Sequence, residues 1–209
     1  MPKCPRISYS YDSEDLLLEK IITKELGFYI DIGAHDPINY SNTYLLHNKG
    51  WRGINIDANP LTILEFNKKR KECININCGV SDIEGEFNFY ISENPLLSSF
   101  DKSKVETAKK EWNFDFKTRK INTYRLESLL DQYLPKTSID LLNIDVEGLE
   151  LNILASNNWQ KYSPKIILIE LHERYIENVL SSDIYKFLTK RGYKLISKTF
   201  ITLIFERHQ

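Results

Sequence analysis

The sequence predicts an α/β fold with a mostly parallel sheet, and three observations support this prediction. Short apolar runs at residues 28–32, 139–146 and 165–171 have the composition of buried strands. Segments with helical spacing separate these runs, which is typical of strand–helix–strand units with parallel strands. Residues 193–196 and 200–205 are close enough in sequence to form a closing antiparallel hairpin. We therefore expect a seven-stranded sheet with helices on both faces and a C-terminal hairpin.

The first half of the chain is expected to alternate strands and helices. Residues 1–26 form an N-terminal helical segment, in which Ser13 caps a helix and Gly27 follows as its stop. Pro60 suits the first turn of a helix, because its missing N–H costs little there. The other elements expected here are strands at residues 28–32, 51–57 and 73–80 and a short helix at residues 43–48.

The second half contains the segment with the weakest pattern. Residues 92–117 lose clear periodicity and carry many charges, so we expect a loop or short-helix insertion on the substrate side of the domain. An added strand at residues 87–91 precedes this insertion. The elements expected after it are a strand at residues 121–124 and helices at residues 126–133, 149–155 and 183–191.

The composition predicts a folded globular protein, and its net charge does not favour any particular class of binding partner. The hydrophobic share of 42% and the charged share of 27% are ordinary for a globular protein, and 209 residues are enough for one domain, residues 1–209. Lys and Arg (28) nearly balance Asp and Glu (29), so we expect no nucleic-acid partner. No apolar run has membrane-spanning length, and the three cysteines lack a paired spacing. We expect a cytoplasmic protein, as a monomer or an oligomer.

Acidic residues follow four of the predicted strands. Asp31, Asp57, Asp145 and Glu170 stand at strand ends, and Glu147 and His172 come just beyond. In an open parallel sheet the carboxyl ends of the strands share one edge, where ligands bind. The sequence therefore predicts a ligand site at this edge.

The turn after the first strand excludes the common phosphate sites. Neither GxGxxG nor GK[ST] is present, so the ligand is expected to be a nucleoside without phosphates. Asp57 is placed to accept hydrogen bonds from both ribose hydroxyls. S-adenosylmethionine meets these demands. Asp31 would bind its ammonium group or order the turn, and Asp82 would accept from the adenine amino group.

Several short motifs resemble those of the FkbM-type methyltransferases. The similar stretches are YIDIGAH at 29–35, SNT at 41–43, GW at 50–51 with DANP at 57–60, VSD at 80–82 and NIDVEGLE at 143–150. The resemblance implies a Rossmann-like class I fold, S-adenosylmethionine as cofactor and, most often, methylation of oxygen. The residues that the strand ends and these motifs together assign to the cofactor are Asp31, Gly33, Ala34, His35, Ser41, Asn42, Thr43, Asp57, Ala58, Asn59, Ser81 and Asp82.

Methyl transfer to an alcohol needs alignment of the acceptor oxygen and removal of its proton. The candidates for this second task are Asp145, Glu147, Glu170 and His172. Asp145, Glu170 and His172 could alternatively hold Mg²⁺ or Mn²⁺, which would lower the pKa of a bound hydroxyl. Glu147 could equally be a first-turn acid of the following helix.

The acceptor is expected to contact residues 92–117. The resemblance suggests a sugar, a polysaccharide precursor or a related metabolite, and a phosphorylated or nucleotide-linked acceptor would suit the lysines of the insertion. Two other functions stay open, a non-catalytic nucleoside-binding module and an NAD-dependent oxidoreductase. The absence of GxGxxG weighs against the oxidoreductase, and the strand-end carboxylates weigh against the module. The lysines are Lys102, Lys104, Lys109, Lys110 and Lys117.

Overall fold

The computed structural model describes residues 6–146 and 148–208. Its strands are β1 (Phe28–Ile32), β2 (Arg52–Asp57), β3 (Ile74–Asn77), β4 (Gly79–Val80), β5 (Gly85–Ser92), β6 (Phe116–Tyr124), β7 (Leu141–Ile144), β8 (Ile166–Glu170), β9 (Tyr193–Lys198) and β10 (Thr202–Arg207). Its helices are α1 (Glu14–Ile21), α2 (Tyr44–Asn48), α3 (Pro60–Lys69), α4 (Lys102–Trp112), α5 (Leu126–Tyr133), α6 (Glu150–Ala155), α7 (Ile176–Ser181) and α8 (Asp183–Thr189), with a 3₁₀ turn at Pro95–Leu97.

The central sheet has seven strands in the order β3-β2-β1-β7-β8-β10-β9. The pairs from β3 to β8 are parallel, and β10 pairs antiparallel with both β8 and β9. The predicted α/β fold, with a mostly parallel seven-stranded sheet and a C-terminal antiparallel hairpin, is confirmed. The reversal of strand order between β1 and β7 is the position where open α/β sheets bind ligands.

Helices cover both faces of this sheet. Successive residues of a strand point to opposite faces, and Tyr29 and Ile30 of β1 accordingly belong to two separate apolar clusters. Tyr29 packs in a cluster with Leu18 of α1 and Leu46 of α2. Ile30 packs in a larger cluster with residues of α5, α6 and α8. Among the described residues, no helix is long and apolar enough to cross a membrane.

The predicted third strand, residues 73–80, divides into two. β3 pairs with β2 in the central sheet, whereas β4 pairs with β6 in a second sheet of order β4-β6-β5. Gly79 allows this second pairing, because a Cβ there would lie 2.8 Å from side-chain atoms of Phe100 and of Thr123. The added strand expected at residues 87–91 is present within β5.

The insertion at residues 92–117 is more regular than its sequence indicates. It contains the 3₁₀ turn, the 11 residues of α4 and the start of β6. Val105 and Ala108 anchor α4 through buried side chains, and Tyr90 and Ser99 form an antiparallel bridge. The lack of apolar periodicity has a physical cause: apart from Val105 and Ala108, the residues of α4 are exposed to solvent.

Two helix predictions require correction. Ser13 precedes α1, but its backbone is left-handed (φ 67°) and its side chain makes no capping hydrogen bond. α7 was not expected, and Val179 is its one buried residue, so it offers little apolar signal. By contrast, Pro60 lies in the first turn of α3 as expected, and Asn59 caps this helix by accepting a hydrogen bond from the amide of Leu61.

Candidate functional site

The ends of four neighbouring strands lie in one row. Ile56, Ile32, Ile144 and Ile169 are paired in register across β2, β1, β7 and β8. The next residue of each chain segment therefore stands at the carboxyl edge of the sheet. These edge residues are Asp57, Gly33, Asp145 and Glu170.

Asp57 is held by the backbone of two loops. One carboxylate oxygen accepts the amide of His35 at 2.9 Å, and the other accepts the amide of Asn59 at 2.7 Å. Burial raises the pKa of Asp57 to about 6. Asn77 donates to the carbonyls of Asp57 and Ala58, at 2.9 and 3.0 Å, which fixes the turn that follows β2.

The turn after β1 directs its amides into the protein. Gly33 and Ala34 both donate to the carbonyl of Ile56, at 3.0 and 3.2 Å, so these two amides do not form a cradle for phosphate. Gly33 has a φ of 78°, and a Cβ on it would lie 1.7 Å from the carbonyl oxygen of Asp145. Glycine is therefore required here by the close approach of β1 and β7.

Asp31 belongs to a buried polar network below this edge. It is 2% exposed, and its carboxylate accepts hydrogen bonds from Thr43 at 2.5 Å and from Asn143 at 2.9 Å. Asn42 donates to Asn143 at 3.0 Å, and Ser41 accepts from Arg70 at 2.8 Å. Of the two tasks expected for Asp31, this geometry corresponds to ordering the turn.

Two members of the network were not predicted from the sequence. Asn143 carries a detectable signal, since it is a polar residue inside the apolar run of β7 and opens the NIDVEGLE stretch. Arg70 carries none, because it follows two lysines at the end of α3 and resembles a surface residue. In the structure its side chain is fully buried.

Asp82 links the loop after β4 to α6. Its Oδ1 accepts from the amide side chain of Asn152 at 2.9 Å and from the hydroxyl of Ser81 at 3.1 Å. The hydrogen bond from Asn152 is the main cause that lowers the pKa of Asp82. The carboxylate is therefore held in one position and stays charged at neutral pH.

Glu170 and His172 form a pair at the end of β8. The side chain of Glu170 is 5% exposed and that of His172 is 61% exposed, and Oε1 of Glu170 lies 2.9 Å from Nε2 of His172. Asp145 is half-buried at the end of β7. Glu147, the remaining predicted catalytic residue, lies outside the described residues.

The predicted metal site is not assembled by the described side chains. No group of three His, Cys, Asp or Glu residues within residues 6–146 and 148–208 is placed to hold a metal ion. Of the predicted ligands, the structure pairs Glu170 with His172. Asp145, which follows the neighbouring strand β7, does not complete a metal-binding group with them.

Two further segments reach the same edge. α4 brings the ammonium of Lys104 to 3.8 Å from the point where Gly148 would carry a Cβ. The N-terminal segment crosses from one loop to another: the carbonyl of Tyr9 accepts the amide of Ser41 at 2.9 Å, and Asp12 accepts the amide of Phe200 at 3.1 Å. The hairpin loop containing Phe200 lies beside Glu170, because Thr202, at the start of β10, pairs with Glu170 of β8.

The sequence matches the family described as the methyltransferase FkbM domain over residues 31–195. The chain belongs to the FkbM methyltransferase family. The matched region begins at Asp31, within β1, and contains β2, β7 and β8, so it includes every strand end of the site. The predicted resemblance is thus confirmed, and S-adenosylmethionine-dependent methyl transfer is the activity that FkbM membership supports.

Solved structures share the fold at low sequence identity. A proposed rRNA-methylase from Clostridium thermocellum is 11% identical with a TM-score of 0.51, covering 98% of this chain and 99% of its own. Fibrillarin from Aeropyrum pernix, solved with natively bound S-adenosyl-L-methionine, is 12% identical with a TM-score of 0.51, covering 93% of this chain and 73% of its own. No curated protein matches the sequence. These similarities establish the Rossmann-like methyltransferase fold.

Proposed function

We propose that this FkbM protein transfers the methyl group of S-adenosylmethionine to a hydroxyl oxygen of a sugar, a polysaccharide precursor or a related metabolite. One observation carries the proposal: Asp57 and the Glu170–His172 pair stand at the ends of strands aligned in one register. Neighbouring strands are ~4.8 Å apart, so three intervals separate Asp57 from Glu170 by roughly 14 Å. That span has room for an adenosine at one end and an acceptor at the other.

The residues around Asp57 fit the cofactor. Each of its carboxylate oxygens already accepts one backbone amide, and a carboxylate has about four acceptor positions in all, so capacity remains for two ribose hydroxyls. The inward amides of Gly33 and Ala34 suit a ligand that carries no phosphate. Bound there, S-adenosylmethionine supplies an electrophilic methyl group on a sulfonium.

The other predicted cofactor residues divide into two groups. Asp82, with Ser81, would accept from the adenine amino group, while His35, Ala58 and Asn59 surround the ribose. The residues of the buried network shape the loop from below, since their polar groups are used within the protein. This second group consists of Asp31, Ser41, Asn42 and Thr43.

His172 is the proposed general base. Oε1 of Glu170 lies 2.9 Å from Nε2 of His172, and a proton held on Nε2 by this carboxylate would make Nδ1 the basic nitrogen of the neutral ring. His172 would take the hydroxyl proton on Nδ1 as the acceptor oxygen attacks the methyl carbon, and the carbon–sulfur bond breaks with its electron pair on sulfur. The buried Glu170 then stabilises the imidazolium. Asp145 and Glu147 are the alternative bases.

The insertion would position the acceptor. α4 places Lys104 beside Gly148, at the loop that follows β7. A cation at this point suits a phosphorylated or nucleotide-linked acceptor. We propose that residues 1–209 act as one domain in which residues 92–117 form the acceptor side.

The test is methyl transfer from ¹³C-labelled S-adenosylmethionine to pooled saccharides, nucleotide sugars and amino sugars, followed by mass spectrometry and ¹³C NMR. We expect label on an oxygen. Label on nitrogen or carbon would contradict O-methylation, and cofactor binding without transfer to any pool would favour the non-catalytic module. An RNA pool belongs in the same assay, because the expected absence of a nucleic-acid partner stays a prediction.

His172→Gln should then lower kcat by about 10²-fold and leave the affinity for S-adenosylhomocysteine near that of the wild type, because a missing general base costs on that scale. His208→Gln is the matched control, since His208 is exposed at the end of β10. Full activity in His172→Gln would show that His172 is not the general base, and Asp145 or Glu147 would then be the candidates. If a chelator abolishes wild-type activity and Mg²⁺ or Mn²⁺ restores it, the acceptor hydroxyl is activated by a metal ion and not by a direct base.

A further inference from the structure

We infer that Arg70 is a positioning residue for the methyl donor. Its buried guanidinium fixes the loop of residues 34–43 from below, and this loop carries the His35 amide that holds the Asp57 carboxylate. The inference rests on the proposed placement of the donor at Asp57. It assigns a task to a residue outside the motifs and the strand ends.

All five N–H donors of Arg70 have a partner within 3.1 Å. Nε and Nη2 both donate to the carbonyl of Pro37, at 2.9 and 2.7 Å, and Nη2 also donates to Ser41 at 2.8 Å. Nη1 donates to the hydroxyls of Thr43 at 2.7 Å and Tyr29 at 3.1 Å. A guanidinium has five such donors in a rigid fork, so its hydrogen-bonding capacity is fully used.

The distribution of these bonds separates a loop-holding role from a core-packing role. Four of its six hydrogen bonds go to Pro37, Ser41 and Thr43, which lie in the loop, and two longer ones go to the sheet, to Tyr29 at 3.1 Å and to Asn55 at 3.4 Å. Arg70 itself follows α3, the helix that begins after Asn59. It therefore ties the loop after β1, which provides the His35 amide that holds Asp57, to the C-terminal end of α3. The other amide on Asp57, that of Asn59, lies at the opposite end of this helix.

The buried charge has a partner that fixes its position further. The hydroxyl of Thr43 accepts from Arg70 and donates to Asp31 at 2.5 Å, so the guanidinium and the carboxylate are linked through one hydroxyl. The rings of Phe66 and Tyr44 lie 5.0 and 5.6 Å from the guanidinium carbon. A buried cation with a complete set of partners has one well-defined position, which is what a loop support requires.

The experiment compares Arg70→Lys, Arg70→Met, Asp57→Asn and the double variant Asp57→Asn/Arg70→Lys by calorimetry with S-adenosylhomocysteine. Arg52→Lys is the matched control, because Arg52 lies at the opposite end of β2 and donates to the carbonyl of Trp51. The stoichiometry reports the folded fraction, whereas Kd reports the geometry of the folded site. Thermal melting is recorded in parallel.

We expect Arg70→Met to raise Kd roughly 10- to 100-fold at near-unit stoichiometry, the loss of about one charge-assisted hydrogen bond. Arg70→Lys keeps the charge without the fork and should lose less. In the Asp57→Asn background Arg70→Lys should add little, because both changes act on the same contact. Arg52→Lys should leave Kd unchanged.

Three outcomes would overturn the inference. A wild-type Kd with a lower melting temperature or lower stoichiometry would make Arg70 a residue of the fold alone. Full additivity of Asp57→Asn and Arg70→Lys would show that Arg70 does not act through Asp57. An unchanged Kd in Asp57→Asn would show that the methyl donor does not bind at Asp57, and it would refute the proposed placement as well. If Arg70→Met does not fold, Arg70→Lys with Ser41→Ala, which removes a single acceptor, decides the question.

Discussion

Replacing Asp57 by Asn should weaken the binding of S-adenosylhomocysteine by an amount that follows from the hydrogen bonds of this carboxylate. The two carboxylate oxygens accept the amides of His35 and Asn59, and each retains capacity for one ribose hydroxyl. Asn keeps one acceptor oxygen and removes the charge, so about one charge-assisted hydrogen bond is lost. Such a bond is worth about 1.5–3 kcal/mol, which corresponds to a rise in Kd of roughly 10- to 150-fold.

The pH dependence of binding makes this prediction specific. Because burial raises the pKa of Asp57 to about 6, its carboxylate is charged at neutral pH and becomes protonated as the pH falls through that value. Protonation converts an acceptor into a donor, so affinity should fall below about pH 6, by at most about tenfold per pH unit. Calorimetry across this window should show a curved profile for the wild type and a flat one for Asp57→Asn. Parallel profiles, or equal Kd values at neutral pH, would refute the reasoning.

Two further predictions concern the frame of the site. Gly33→Ala should lower the free energy of unfolding by about 3 kcal/mol or more in thermal or urea melts, because of its positive φ and the Asp145 carbonyl 1.7 Å from the new methyl. Gly192→Ala, with a φ of 84° but its nearest atom at 3.9 Å, should cost only about 1–2 kcal/mol, and equal costs would contradict the steric argument. In hydrogen exchange, amides of α4 should exchange faster than those of β7 without ligand and slow when acceptor and S-adenosylhomocysteine are added. Protection equal to that of β7 in the free protein would exclude a closing movement.

The sequence was sufficient for the central sheet because its strands are short apolar runs buried on both faces. Residues 28–32 and 166–170 are almost entirely buried, and such runs are recognisable without knowledge of their neighbours. The acidic residues that follow them could be placed at one edge by the rule for parallel strands. The hairpin followed from the proximity of its two apolar segments.

The second sheet could not be predicted because long-range contacts determine it. The run of residues 73–80 looks continuous, but β3 pairs with β2 whereas β4 pairs with β6, and Phe100 and Thr123 lie close to Gly79 at this second pairing. The first residues of β6 lack alternation, since neither face is buried there. Secondary structure that forms through pairing alone leaves no periodic pattern in the sequence.

The residue that holds the loop of the candidate site could not be recognised from the sequence either. Arg70 is the third of four successive basic residues, and nothing local distinguishes it from Lys68 and Lys69, which are exposed. Its burial depends on acceptors 15 to 41 positions away in the sequence. The edge residues themselves could be named, but the partners that orient them required the three-dimensional structure.

The central claim is that the methyl donor lies across the strand ends between Asp57 and the Glu170–His172 pair. A crystal structure of the complex with S-adenosylhomocysteine tests it most directly. We predict both ribose hydroxyls within hydrogen-bonding distance of the Asp57 carboxylate, and the sulfur beyond the end of β7 on the side of His172. A ribose bound away from Asp57, or a sulfur directed away from β8, would contradict the account.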